Sequence, residues 1–331
     1  IHSGDWSSDV CSSDLQEKVI PQMRELLTQY GPIDMIWFDM WKHHSETILN
    51  QEQLMQLKNL IRELQPQCLV NSRLGLSIEE DSDVDFRTLG DNQLGEEKLP
   101  YPWQSPGTVA HSWGYHRSDS EWKSTTTLLK ALSGNVSLNG NYMLNIGPRA
   151  DGTVPYEISH RLKAMGNWLE INGASIYGSE AFDLPRDYHD WGRITAKGTE
   201  QGNFRLFLHL YNRPWNHKLP VSGIKTKPEK AYILSDKQRS SLDLQHKPGL
   251  TQVALPQYLS EKYIPVVVLE YNKRPEIIEG LVARTMEGGH AMTPENCFQQ
   301  SGEVQHAKGK DYGTIPVHLV INNPYQGRWK L

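Results

Sequence analysis

Between Gln16 and about residue 182, segments of helical period alternate with short apolar runs, and most of those runs end on a polar or charged side chain. QEKVIPQMRELLTQYG sets Val19, Met23, Leu26 and Leu27 at helical spacing and stops at Gly31; IDMIWFDM then reads as a short buried strand ending around Asp39. The unit recurs. QEQLMQLKNLIRELQP carries Leu54, Leu57, Leu60, Ile61 and Leu64 on one face, stops at Pro66, and is followed by the strand-like CLVNSRL. Two successive helix–strand units imply a parallel sheet. Further on, WKSTTTLLKALSGNV reads as a helix, YMLNIGP as a strand, and YEISHRLKAMGNWLEING as an amphipathic helix closing on Gly173. Asp39, Arg73, Asp91 and Asn145 all fall at or just past the C-terminal ends of these runs, where barrels of alternating strands and helices hold their chemistry.

After about residue 183 the pattern changes. RITAKG, FRLFLHLYN, KAYILS, LTQVALP and PVVVLEYN are short alternating or apolar runs separated by turn residues, with no helical stretch between them, which predicts a small antiparallel β-sandwich over 183–273. From residue 274 to 331 the sequence is mixed and polar and reads as the start of a further β module. At the other end, residues 1–15 (IHSGDWSSDVCSSDL) have neither periodicity nor the basic start and apolar stretch of a signal peptide. They resemble translated sequencing-adaptor sequence, which puts the expected native start near Gln16.

At 331 residues the chain has room for one large domain and a smaller one. A net charge of -5 without a basic stripe argues against nucleic acid as a partner, and no apolar run is long enough to span a bilayer. Cys11, Cys68 and Cys297 are far apart and form no CxxC, so they indicate neither a zinc site nor a disulfide framework. Ten tryptophans and fourteen tyrosines against six phenylalanines suit a cleft that packs flat rings on sugar C–H patches, although ordinary core aromatics account for the same bias.

Asp39 ends an apolar strand beside Trp37 and Phe38, where a carboxylate needs a reason to be. It is either the cap of a following helix or one member of a catalytic pair, since glycoside cleavage takes two carboxylates in one mouth. Asp85, Asp91, Glu96 and Glu97 are the downstream candidates for the second. His43 and His44 lack a third ligand at a recognisable spacing and read as loop histidines, so no metal and no cofactor is expected. The glycines of GPRADG lack the GK[ST] ending of a phosphate loop.

Six stretches in order, GPIDMIWFD (31–39), VNSR (70–73), DFRT (85–88), SWGY (112–115), GNYMLNIGPRADGTVP (140–155) and NWLEINGASIYG (167–178), resemble glycoside hydrolase family 29, the α-L-fucosidases. The resemblance covers about residues 16–272. It implies an α/β fold, a (β/α)8 TIM-like barrel followed by an antiparallel β-sandwich, with residues 16–182 supplying the C-terminal part of the barrel. The first three or four β/α units of such a barrel would be absent, which predicts exposed strand edges, self-association or inactivity for the chain as it stands.

The same resemblance implies a retaining exo-glycosidase that releases terminal α-L-fucose from a fucosylated oligosaccharide or glycoconjugate, and a periplasmic or secreted location. Asp39 matches the family nucleophile, and Trp37, Met40, Arg73 and Trp113 match positions lining the fucose pocket. The acid/base position varies within the family; both of its alignments lead to Asp91, with Glu97 and Glu96 in reserve. One departure accompanies this: where a branch of the family has Trp-Glu, the chain reads Trp103-Gln104. Two alternatives stay open, a non-catalytic carbohydrate-binding remnant and a retaining glycosidase acting on a related sugar such as galactose.

Overall fold

The computed structural model describes residues 14–39, 49–79, 84–184, 189–200 and 202–278, together with the backbone of four short strand segments further on. The chain divides into two compact units: residues up to Thr108 with Asn139–Asn145, and Val109–Leu138 with Ile146 onward.

In the first unit a π-helical turn, Leu15–Val19, runs into helix α1 (Ile20–Gln29). The predicted apolar face is only partly the buried one. Met23 and Leu27 are buried along with Leu15, whereas Val19 and Leu26 are exposed. Strand β1 (Met35–Ile36) follows, then α2 (Gln51–Leu64) and β2 (Leu69–Val70). Helix α2 starts from a reciprocal capping box. The Asn50 side chain accepts from the Gln53 N–H at 3.0 Å, and the Gln53 side chain accepts from the Asn50 N–H at 2.9 Å. At its far end Gln65 ties the helix to the end of α1 and the turn after it, accepting from the Ile33 N–H at 2.7 Å and donating to the carbonyls of Leu27 and Gly31. Leu54, Leu57, Leu60 and Ile61 then share one core with Met23, Leu27, Cys68, Val70 and Leu74.

β1 and β2 are parallel, with Met35 opposite Leu69 and Ile36 opposite Val70. The alternation divides them by face: Val70 is fully buried towards the helices, while Met35 and Leu69 are exposed. A parallel bridge between Asn71 and Phe86 continues the array to β3 (Arg87–Thr88), which pairs with β4 (Trp103–Thr108), itself paired with β5 (Gly140–Asn145), all parallel. β4 contains Pro106 and Gly107. The Pro106 carbonyl accepts from the Asn92 N–H at 2.9 Å. A residue's N and C=O face the same side of a strand, so its missing N–H faces a loop and not β5.

The second unit contains α3 (Thr125–Val136), capped by the Ser124 side chain, and α4 (Tyr156–Asn172). Its strands are β6 (Glu180–Ala181), β7 (Gly192–Gly198), β8 (Phe204–Leu210), β9 (Lys218–Ser222), β10 (Lys230–Ile233), β11 (Leu244–Lys247), β12 (Leu250–Ala254) and β13 (Val266–Tyr271). They form two antiparallel sheets, ordered β10-β13-β8-β7-β6 and β11-β12-β9. Leu206, Leu208, Val267 and Leu269 of the larger sheet share one core with Leu219, Val221 and Val253 of the smaller. The Trp168 indole of α4 donates to the Ile264 carbonyl at 2.9 Å, fixing that helix against the strand that follows.

Candidate active site

The loops that follow β1, β2 and β3 bring three of the predicted residues together. Asn71 fixes the first. Its side chain accepts from the Phe38 N–H at 2.8 Å and donates to the Phe38 carbonyl at 2.9 Å, so the backbone just before Asp39 is held in both directions by one amide. Asn71 is fully buried and also donates to the Thr88 hydroxyl at 3.2 Å, which links the ends of β1, β2 and β3. Sequence reasoning quoted this asparagine within VNSR but gave it no role; its place beside Arg73 at a strand end was the available signal.

Arg73 leaves the short 3-10 turn Ser72–Leu74, which ends on Gly75 at φ 107°. Its Nη1 donates to Asp39 Oδ1 at 2.7 Å, and its Nη2 donates to Asp91 Oδ1 at 2.5 Å and to the Leu89 carbonyl at 2.9 Å. The Arg73 side chain is 6% exposed, while the carboxylates of Asp39 and Asp91 are 66% and 41% exposed. A buried cation therefore holds two carboxylates from below, and their free oxygens face the open side. The Trp37 ring lies against the same guanidinium, 5.1 Å from centroid to Cζ. The Trp37 indole N–H donates to Gln104 Oε1 at 2.8 Å.

The Asp91 loop is secured to β4. The Gly90 N–H donates to Gln93 Oε1 at 2.9 Å, Asn92 adopts φ 57°, and Asn92 Oδ1 accepts from the Thr108 N–H at 3.1 Å. Beneath it, the fully buried Trp103 ring is pressed between two glycines: a Cβ on Gly95 would lie 2.2 Å from that ring, and one on Gly140 2.1 Å. No side chain larger than hydrogen fits at either position.

The other candidates separate from this group. Asp85 accepts from Arg62 Nη2 and from the Val70 N–H, both at 2.6 Å, and serves to anchor β2. Glu96 and Glu97 are exposed on the loop before β4. Trp113 belongs to the second unit, where it is 36% exposed. Met40, His43 and His44 lie outside the described residues. Among the described residues no cluster of His, Cys, Asp or Glu could hold a metal ion.

Residues 4–174 match the model of the alpha-L-fucosidase family. The chain belongs to the α-L-fucosidase family. Within it, the chain is 28% identical over 266 residues to an alpha-L-fucosidase of Dictyostelium discoideum, an alignment covering 76% of this chain and 55% of that protein. Among solved structures, alpha-L-fucosidase isoenzyme 1 from Paenibacillus thiaminolyticus is 30% identical with a TM-score of 0.68, covering 78% of this chain and 62% of that one. An alpha-L-fucosidase from Vibrio sp. strain EJY3 is 26% identical with a TM-score of 0.74, covering 86% of this chain and 50% of that one. These neighbours bear out the α/β class, and this fucosidase-family chain spans about half the length of the curated relatives it matches.

Proposed function

We propose that the chain carries the reacting carboxylates of a retaining α-L-fucosidase, with Asp39 as nucleophile and Asp91 as acid/base. The observation that carries the reading is the shared guanidinium: Arg73, just past β2, brings together the two aspartates to which the family resemblance leads, one past β1 and the other past β3. In the same proposal the parallel array is the C-terminal part of a (β/α)8-like barrel, and the two antiparallel sheets form a β-sandwich.

Asp39 attacks the anomeric carbon of a terminal fucose while Asp91 gives a proton to the departing glycosidic oxygen; Asp91 then takes a proton from the water that opens the fucosyl ester. Arg73 holds one oxygen of Asp39 and leaves the other free to attack. Trp37, whose ring already packs on Arg73, offers an apolar wall to the sugar. The substrates are fucosylated oligosaccharides or glycoconjugates, met in the periplasm or outside the cell.

The test is hydrolysis of an aryl α-L-fucoside by the protein, taken with whatever coding sequence adjoins it in its source, beside the variant Asp39→Gly. Turnover lost in the variant, with azide restoring it and giving the β-configured fucosyl azide, supports substrate and nucleophile together. Undiminished turnover in the variant moves the nucleophile to another carboxylate. A folded protein that binds fucose and turns over no fucoside rejects the reading in favour of a binding remnant.

A further inference from the structure

We infer that Gln104 is a positioning residue for the carboxylate pair, acting through Trp37 and Arg73; this rests on the fucosidase reading of the site. Gln104 lies on β4, opposite Thr88 of β3 and Asn141 of β5. Its amide oxygen accepts from the Trp37 indole at 2.8 Å, a bond between residues at the two ends of the β1–β4 array. The indole has a single N–H donor, so this one bond decides how the ring is turned. The guanidinium of Arg73 rests on that ring and presents one nitrogen to Asp39 and the other to Asp91. Removing the acceptor on β4 frees the ring, and a freed ring no longer backs the fork that sets the two carboxylates.

The identity of the residue matters as well as its position. An amide oxygen and a carboxylate oxygen can both accept the indole N–H, but a carboxylate here adds a third negative charge near Arg73. That charge competes with Asp39 and Asp91 for the guanidinium. Glutamine supplies the acceptor without the competition. Having no acidic proton, it has no part in the proton transfers, so the departure from Trp-Glu at Trp103-Gln104 leaves a tether where an acid stands in part of the family.

The test uses the 331-residue chain with Gln104→Leu, which removes the acceptor, and Gln104→Glu, which keeps it. Trp37→Phe assigns the Trp37 indole N–H resonance by its disappearance. Expected are a moved Trp37 resonance and faster solvent exchange of the Arg73 guanidinium protons in Gln104→Leu, with the hydrogen-bonded indole resonance retained in Gln104→Glu. In protein that turns over an aryl fucoside, Gln104→Leu lowers kcat by roughly 10–100-fold with a much smaller change in KM. An unmoved indole resonance in Gln104→Leu overturns the inference. So does a moved resonance with Arg73 exchange and kcat both unchanged, which would make the bond merely structural. Absence of fucoside turnover in the parent protein taken with its adjoining coding sequence counts against the fucosidase reading alone, since the two resonance measurements do not depend on it.

Discussion

Arg73 donates to Asp39 through Nη1 and to Asp91 through Nη2, so the planar geometry of one guanidinium sets the spacing of two carboxylates carried by different loops. Lysine offers a point charge in place of a fork and cannot span both. Arg73→Lys is expected to lower kcat/KM for an aryl fucoside by about 100-fold or more while the fold persists. Steady-state kinetics beside a circular dichroism melt checks this, and a variant within twofold of the parent contradicts it.

Asn71 is expected to be a stability residue as much as a site residue. Asn71→Ala strips the half-buried Phe38 N–H and carbonyl of the fully buried amide that pairs with both, at a cost of about 1–3 kcal/mol. Urea unfolding measures the loss directly, and a value under about 0.5 kcal/mol would show that the strand end finds other partners.

Trp103 predicts a coupling between mutations. Gly140→Ala forces a methyl group into the Trp103 ring and should destabilise by about 1–3 kcal/mol or more. Trp103→Phe removes the part of the ring that the methyl would strike. The double variant should therefore be more stable than the sum of the single losses, and strict additivity in a thermal or urea cycle would argue against the contact.

Two core histidines give the second unit a pH dependence. Burial pushes His189 and His209 down from 6.5 to about 3, so both are neutral in the folded protein. Unfolded, each binds a proton below about pH 6.5; the unfolded state then holds more protons, and stability is lost as pH falls from about 6.5 towards 3. The loss approaches about 1.4 kcal/mol per pH unit for each histidine. His209 is fully buried and bonded through Nε2 to the Thr195 hydroxyl at 3.0 Å. That hydroxyl donates to the Ser175 carbonyl, so Nε2 carries the proton. Urea midpoints between pH 7 and pH 5 should fall, and His209→Gln should flatten the slope by about one proton; an unchanged slope would refute the assignment.

Helix α2 was legible because its Leu/Ile spacing and the terminating Pro66 are local signals, and each has the predicted effect; its capping pair is as local a signal and was passed over. Helix α1 was legible in extent but not in facing. Val19 and Leu26 satisfy the same spacing as Met23 and Leu27, and only the seat against α2 decides which pair is covered. Strand β4 was missed altogether, since Pro106 and Gly107 read as strand breakers; the loop at 89–92 removes the penalty, and that loop is not visible in the sequence of β4. In the site, the motifs brought out Asp39, Arg73 and Asp91, but Asp85 looked as good an acid until Arg62 and the Val70 N–H were seen to occupy it.

The sequence by itself determined what depends on neighbours a few residues away: the alternation of helix and strand, the change to antiparallel strands, the caps and stops, and the motifs that mark the family. The tertiary structure alone decided which carboxylate Arg73 holds, which it leaves to another arginine, and that Gln104 reaches Trp37. Those choices depend on the register of parallel strands and the close approach of Trp103 to Gly95 and Gly140. Such contacts join residues from separate strands, and nothing in the local period of a chain encodes which of its distant side chains will share a hydrogen bond.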